Sequence, residues 1–118
     1  VLPGGLPGAQ YLEEDPRLRT MLQRQQSAGR FAAAICAAPK VLASAGLLDG
    51  KTATSYPGAI QAADYPQVNF VSAPVVVDGL VVTSRGPGTA MDFALQLIES
   101  LQGRERREQV ESDLVREV

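Results

Sequence analysis

The stretch that decides the fold is Ala32-Ala33-Ala34-Ile35-Cys36-Ala37-Ala38-Pro39, a short apolar run that holds the only cysteine of the chain. Small residues follow Cys36, and the pattern from 41 to 46 then predicts a helix. An apolar run of this length that leads into a helix is typical of a buried parallel strand. The sequence therefore predicts a strand-to-helix turn at Cys36.

A turn of this kind can lift a nucleophile above the edge of a sheet, as in a nucleophile elbow. The amides and the positive end of the following helix would face Cys36 and favour its thiolate over its thiol. The alternative is a buried structural cysteine, the usual fate of a free one. The small residues on both sides favour the nucleophile, and we expect the Cys36 backbone in a sparsely allowed region.

Composition limits the possible functions. The 118 residues are 45% hydrophobic and carry a net charge of −2, which gives no general attraction to nucleic acid or to a membrane. One cysteine allows no internal disulfide, and no stretch is typical of a signal peptide or a membrane span, so we expect a cytoplasmic protein. The chain has no histidine, which excludes a Cys-His or Ser-His dyad built from these residues. We expect no metal and no cofactor.

Two longer helices are predicted on either side of the central region. Asp15 and Pro16 are a good helix start, and that helix should end near Ala28-Gly29. Thr89 is predicted to cap the second helix, with Asp92 as the acid of a capping box and Gly103 as its end. Its apolar stripe is predicted to consist of Phe93, Ala94, Leu97, Ile98 and Leu101.

The remaining patterns predict short strands. Residues 52–55 and 68–71 each favour a short strand, and the loop between them has room for one helical turn. Residues 74–84 predict a hairpin with Asp78-Gly79 at its turn. The charged tail 104–118 is either a short amphipathic helix or a solvated segment.

Strands that alternate with helices, followed by a hairpin and a last helix, indicate an α/β layered domain. The predicted sheet is too small for helices on both faces to be well buried. The chain also opens at Val1 within an apolar run, without a methionine. We therefore expect an N-terminal part of the domain to be missing from this chain.

Three segments together resemble the ThiJ/PfpI superfamily, and within it the branch of the Parkinson-disease protein deglycase and bacterial YajL. They are 1–5 (VLPGG), 34–39 (AICAAP) and 83–89 (TSRGPGT). The resemblance implies a flavodoxin-like doubly wound sheet with helices on both faces, here lacking its N-terminal part. It further implies that residues 1–118 are the C-terminal portion of a single ThiJ/PfpI-type domain, and that the protein is a homodimer.

The resemblance also implies a site. Cys36 matches the nucleophile, and the backbone amides of Gly5 and Ala37 match an oxyanion pocket. Gly5 suits this role because an amide without a side chain can approach a substrate oxygen closely. A turn without any other role is the alternative for the two glycines.

Two departures from the family pattern stand out. The glutamate that bonds to the cysteine sulfur lies before the Leu-Pro-Gly-Gly segment, in a part that this chain does not contain. Tyr56 stands where some relatives have histidine; it can donate a hydrogen bond but cannot act as a base near neutral pH. A pocket-wall role is therefore favoured for Tyr56.

The loop after the hairpin supplies two further pocket candidates. Arg85 could anchor a carboxylate or phosphate, although an arginine in such a turn more often bonds to carbonyls and holds the loop. Pro87, within Gly86-Pro87-Gly88, is predicted to shape the pocket wall beside Cys36.

The residues support two classes of function. The first is a cofactor-free glyoxalase or deglycase whose Cys36 adds to reactive carbonyls such as methylglyoxal or early glycation adducts on proteins or nucleotides. The second is a stress protein or chaperone whose Cys36 is oxidised without turnover. A cysteine peptidase or amidotransferase fits worse, because Ala37 follows the cysteine where the peptidase branch has histidine.

Overall fold

The computed structural model describes residues 1–116. The chain forms five α-helices within these residues: α1 Gly8–Glu14, α2 Pro16–Ser27, α3 Pro39–Ser44, α4 Ala90–Gln102 and α5 Arg104–Leu114. It also forms five strands: β1 Ala32–Ile35, β2 Thr52–Ala53, β3 Asn69–Phe70, β4 Val75–Asp78 and β5 Val81–Ser84. Short 3-10 turns cover Ala62–Asp64 and Pro87–Thr89. No helix within residues 1–116 is long and apolar enough to cross a membrane.

The main sheet has the strand order β1-β5-β4. Strand β1 runs parallel to β5, with Ala34 opposite Thr83, and β4 runs antiparallel to β5. The other edge of β1 pairs at Ala34 with Leu2, in parallel. Strands β2 and β3 form a separate parallel pair. The carboxyl end of β1 therefore lies between the segment that follows Leu2 and the end of β5.

Helices cover both faces of this sheet, as the predicted doubly wound fold requires. Ala32 and Ala34 pack into one core cluster, with Leu42 of α3 and Leu22 of α2 among its members. Ala33 points the other way and packs with Val82 and Phe93, the latter from α4. Because side chains alternate between the faces of a strand, a central strand buried on both sides must be apolar throughout.

The first half of the chain confirms most of the predicted elements. Helix α2 begins at Pro16 and ends at Ser27, and the Asp15 carboxylate caps it by accepting a hydrogen bond of 2.9 Å from the Arg17 backbone N–H. Helix α3 starts two residues earlier than predicted, because Pro39 occupies its first position. Helix α1 was not predicted, since its seven residues are too few for a clear period.

The hairpin is confirmed, but its turn lies one residue further along than predicted. Asp78 still pairs with Val81, so Gly79 and Leu80 are the two central residues. Gly79 has φ +60°, which suits a turn with glycine at its first central position. The Asp78 carboxylate accepts a 2.8 Å hydrogen bond from the Thr52 N–H and ties the hairpin to β2.

The predicted capping box and apolar stripe of α4 are wrong in part. Thr89 is the N-terminal cap residue, but its side chain bonds to the preceding turn rather than to the helix. Leu101 is 63% exposed in the last turn of α4, whereas Leu95 is 1% exposed. Ala94 is also exposed. The buried arc differs from the predicted stripe because α4 packs against α5 as well as the sheet.

The charged tail contains a helix, α5, that packs against α4. Arg107 contacts Glu99 of α4 at 3.3 Å and Glu111 of its own helix at 3.7 Å. Arg116 contacts Asp92 at 2.8 Å. The hydrophilic face of α5 is thus held by ion pairs, and the last two residues of the predicted tail, 117–118, lie outside the described residues.

Candidate functional site

Cys36 is the first residue after β1 and lies three residues before α3. Its φ is +66°, a left-handed conformation that only one other non-glycine residue among the described ones adopts. This conformation costs an L-residue about 1–2 kcal/mol, so the surrounding structure must impose it. The predicted strand-to-helix turn and the sparsely allowed backbone are both confirmed.

Backbone hydrogen bonds hold Cys36 on both sides. Its N–H donates to the carbonyl of Ser84 at 3.0 Å, which continues the β1–β5 pairing by one residue. Its carbonyl accepts from the Tyr56 N–H at 2.8 Å. The cysteine is therefore fixed between the end of β5 and the loop that contains Tyr56.

Gly4 closes the third side of the cysteine. A Cβ on Gly4 would lie 2.6 Å from the Cβ of Cys36 and 2.9 Å from the Ile35 carbonyl oxygen, so only glycine fits there. The role predicted for Gly5 is different, since it concerns the approach of its amide to a substrate oxygen and not to the cysteine. A Cβ on Gly5 would meet nothing within 4 Å, and its φ of +90° is the feature that favours glycine there. Two successive glycines were the signal for Gly4, but they did not show which one faces the cysteine.

The backbone amides of Gly5 and Ala37 have one property in common. Within residues 1–116, neither N–H has a hydrogen-bond acceptor. Ala37 directly follows Cys36 in the chain. Gly5 directly follows Gly4, whose backbone lies against Cys36. Unpaired N–H groups near a nucleophile are the donors that an oxyanion site needs.

One cavity adjoins the turn. Its volume is about 330 Å³, and Ala37 lies in its wall together with residues of α1 and with Lys40. A second cavity, of about 280 Å³, is formed by the loops that carry Tyr56, Arg85 and Pro87. Cys36 is a free, partly buried residue and does not line either cavity.

Tyr56 and Pro87 lie in the wall of the second cavity. The Tyr56 side chain is 50% exposed. A Cβ on Gly86 would stand 3.3 Å from the Tyr56 ring, so the ring lies directly over the backbone of that glycine. The absence of a side chain at Gly86 lets the two loops approach each other.

Arg85 combines the two roles considered for it. Its backbone N–H donates to the Pro74 carbonyl at 3.2 Å, which holds the loop. Its guanidinium donates to the Ser72 hydroxyl at 3.3 Å and forms no ion pair within residues 1–116. The positive charge at the cavity wall is therefore available to an anionic group.

Thr89 shapes the turn beside this cavity. Its hydroxyl oxygen accepts from the Gly86 N–H at 3.1 Å and lies 2.7 Å from the Ser84 hydroxyl oxygen. Ser84 in turn donates to the Pro74 carbonyl. This buried network was not predicted, because the sequence assigned the Thr89 side chain to the cap of α4.

Ion pairs shift pKa values at the start of α2 and after the end of α5. The pKa of Asp15 is lowered to about 2, first by the hydrogen bond from the Arg17 side chain and then by that from the Arg17 backbone. The hydrogen bond to Asp92 raises the pKa of Arg116. No group of three or more His, Cys, Asp or Glu residues within residues 1–116 is placed to hold a metal ion.

Comparison with known proteins identifies relatives along almost the whole chain. A model of the DJ-1/PfpI family matches residues 1–100. The Parkinson disease protein 7 homolog of Danio rerio is 43% identical over 118 residues, which are 98% of this chain and 61% of that protein. The glutathione-independent glyoxalase DJR-1.2 of Caenorhabditis elegans is 35% identical over 106 residues, which are 90% of this chain and 56% of that protein.

The crystal structure of Drosophila melanogaster DJ-1beta has the same fold. It superimposes with a TM-score of 0.87 at 41% identity and covers 98% of this chain and 62% of its own. The chain thus spans about three fifths of the length of these relatives.

Proposed function

The chain belongs to the DJ-1/PfpI family, and from that premise we propose that it supplies the nucleophile of a cysteine-dependent glyoxalase or deglycase. The substrates would be reactive carbonyls such as methylglyoxal or early glycation adducts. The observation that carries the proposal is the Cys36 turn: a free, partly buried cysteine in a left-handed backbone, with the N–H groups of Gly5 and Ala37 beside it, which are unpaired within residues 1–116. The C. elegans glyoxalase among the relatives supports the same reaction class.

The proposed reaction begins with addition to an aldehyde. The thiolate sulfur of Cys36 bonds to the aldehyde carbon of methylglyoxal, and the carbonyl electron pair moves to oxygen. The N–H groups of Gly5 and Ala37 stabilise that oxyanion, a contribution that reaches about 3–4 kcal/mol per donor in other enzymes. A base then moves a proton from the former aldehyde carbon to the adjacent ketone carbon. The ketone oxygen takes up the proton that the thiol lost, and the former aldehyde oxygen becomes the carbonyl oxygen of a lactoyl thioester. Water hydrolyses the thioester to lactate and restores the thiol.

Proton transfer needs a group that the 118 residues do not obviously supply. The chain has no histidine to act as the base. We assign the proton transfer to the glutamate that the family resemblance implies before Val1. Tyr56 and Pro87 would form the pocket wall, and the Arg85 guanidinium would hold the carboxylate of the product.

The assembly that carries this site is also a proposal. We infer that residues 1–118 are the C-terminal portion of one ThiJ/PfpI-type domain and that the whole protein is a homodimer. The second edge of β1 supports the first inference, because within residues 1–116 it pairs at Leu2 alone. Native mass spectrometry of the whole protein tests both: a monomer, or a mass that equals this chain alone, contradicts them.

Turnover by the whole protein tests the reaction. Wild-type protein should convert methylglyoxal to lactate without glutathione, and Cys36→Ser should lose at least about 1000-fold in kcat/KM. Arg85→Met should mainly weaken substrate or product binding. Arg19→Met, on an exposed part of α2, is the matched control and should leave turnover unchanged. Turnover that survives in Cys36→Ser contradicts the proposal.

A second candidate is a redox-responsive stress protein. It is favoured by the isolation of Cys36, which is the only cysteine and is partly exposed. Oxidation by peroxide would then proceed from the sulfenate to the sulfinate, because no second thiol of the chain can capture the sulfenate as a disulfide. Wild-type protein without methylglyoxal turnover that gains two oxygen atoms at Cys36 under mild peroxide supports this candidate against the first.

A further inference from the structure

A third cavity, also of about 280 Å³, lies at the other end of β1 from Cys36 and is distinct from the one that Tyr56 lines. Its wall combines the C-terminal end of α2, the start of β1, the segment after α3 and the hairpin turn between β4 and β5. Ala32, the first residue of β1, lies in this wall, while Cys36 follows the last residue of the same strand. Four strand residues rise about 13 Å, so the cavity is separate from the cysteine turn.

The floor of the cavity is apolar and rigid. Ala32, Leu47 and Val81 line it, and all three are buried members of the main core cluster. Leu80, at the second position of the hairpin turn, adds a side chain that is 39% exposed at the rim. An apolar floor with an opening to solvent favours a ligand with a hydrophobic body.

The rim carries two positive charges without acidic partners. Arg30 follows the end of α2 and Lys51 precedes β2, and neither side chain forms an ion pair or hydrogen bond within residues 1–116. The Lys51 ammonium stands 3.3 Å from the point where a Cβ on Gly79 would lie, so it is placed over the hairpin turn. The Gln26 amide, also in the wall, has no hydrogen-bond partner within the same residues.

Asp78, the acidic residue nearest to this turn in sequence, already accepts a hydrogen bond. The Asp78 carboxylate accepts the Thr52 N–H at 2.8 Å, so it is directed at β2. The residues that line the cavity therefore carry two positive charges and no negative one, although the whole chain carries −2. A local excess of cations above an apolar floor recognises an anion that has a hydrophobic tail.

We propose that this cavity binds a small carboxylate with an aromatic or branched apolar body. The body lies against Ala32, Leu47 and Val81, and the carboxylate meets the Lys51 ammonium and the Arg30 guanidinium at the rim. The volume is at the lower limit of small-molecule sites, which restricts the ligand to roughly the size of a phenylpropionate. The site is independent of the chemistry proposed for Cys36.

Titration of the whole protein with 3-phenylpropionate, followed by ¹H–¹⁵N spectra, tests this proposal. We expect a Kd of about 1 mM or tighter, with the largest shifts at the amides of Ala32, Lys51 and Gly79. The uncharged amide of the same acid should bind at least about fivefold more weakly, because it forgoes the charge pairing. Bound 3-phenylpropionate should not slow alkylation of Cys36.

Charge-removal variants separate the cavity from general surface attraction. Lys51→Met keeps the aliphatic stem and should weaken binding about fivefold or more, and Arg30→Gln about twofold. The other lysine of the chain, Lys40, lies at the cavity beside Ala37, so Lys40→Met is the matched control and should bind like wild type. No binding at 10 mM (a limit set at about ten times the expected Kd), equal binding of acid and amide, or equal effects of both lysine variants would each overturn the proposal.

Discussion

The cysteine turn and the α4–α5 pair are held together by different kinds of interaction. At the turn, Cys36 is fixed through main-chain atoms of Ser84 and Tyr56 and through the bare backbone of Gly4. Helix α5 is instead held on α4 by side-chain ion pairs, among them Arg107–Glu99 at 3.3 Å. Backbone contacts are short, buried and insensitive to salt, whereas partly exposed ion pairs are screened and individually weak. The region around Cys36 is therefore the one with the least freedom to adjust.

The largest effect is expected at Gly4. Gly4→Ala places a methyl group within 2.6 Å of the Cys36 Cβ and should lower the free energy of unfolding by at least about 2 kcal/mol. Gly8→Ala is the control, because a Cβ there meets nothing within 4 Å, and it should change stability by less than about 0.5 kcal/mol. Chemical denaturation of both variants measures the difference. Equal effects would mean that the turn adjusts as easily as an exposed helix start.

The next effect concerns the strain at Cys36 itself. Cys36→Gly removes the cost of a left-handed L-residue and should stabilise the protein by about 1 kcal/mol, net of the entropy that glycine loses on folding. Cys36→Ala retains the strain and should gain nothing. Thermal unfolding of the two variants side by side checks this. A glycine variant no more stable than the alanine variant would show that the conformation carries no strain.

A smaller, salt-dependent effect is expected at the helix pair. Arg107→Met removes the contacts with Glu99 and Glu111 and should cost about 1 kcal/mol at low ionic strength. The cost should fall by about half in 0.5 M salt, where the Debye length is only a few ångström. Arg106→Met is the control, because the Arg106 guanidinium donates to Gln109 and has no ion pair among residues 1–116. Hydrogen exchange of α5 amides locates the change, and a cost independent of salt would argue for packing instead of charge.

The smallest effect lies at another side-chain contact, the cap of α2. The folded pKa of Asp15 is about 2, below the unfolded value of about 3.9. Its contribution is therefore complete above about pH 4 and is lost as the pH falls through about 2. Asp15→Asn still caps the helix but does not titrate, so its stability relative to wild type should rise between pH 5 and pH 2 (a window set by those two pKa values). If the free energies of unfolding of the two proteins change equally with pH, the pKa assignment is contradicted.

Local signals were enough to predict the framework of this fold. Asp15-Pro16 marked the start of α2, the 32–39 stretch marked β1 and the turn, and 74–84 marked the hairpin. What failed depended on contacts outside the helix itself. The Thr89 hydroxyl bonds to Gly86 in the preceding turn, and α4 packs against both the sheet and α5. A helical period alone does not show how many neighbours a helix will have.

The candidate site shows the same division. Cys36 could be predicted because the turn is encoded by adjacent small residues, whereas Gly4 could not be distinguished from Gly5. That distinction depends on how the segment after Leu2 lies against β1, which is set by pairing with Ala34. The cavity with Arg30 and Lys51 joins four segments and has no motif of its own.

The two hydrogen bonds of Cys36 have a consequence for the order of folding. They connect the cysteine to Ser84 and Tyr56, which lie far along the chain, so each requires the closure of a long loop. Contacts of this kind form slowly, because chain entropy is lost before they stabilise anything. We expect a partly folded chain to expose a relaxed, ordinary thiol, and the strained one to emerge only when β1 and β5 have paired. The strained conformation of Cys36 would then form late in folding.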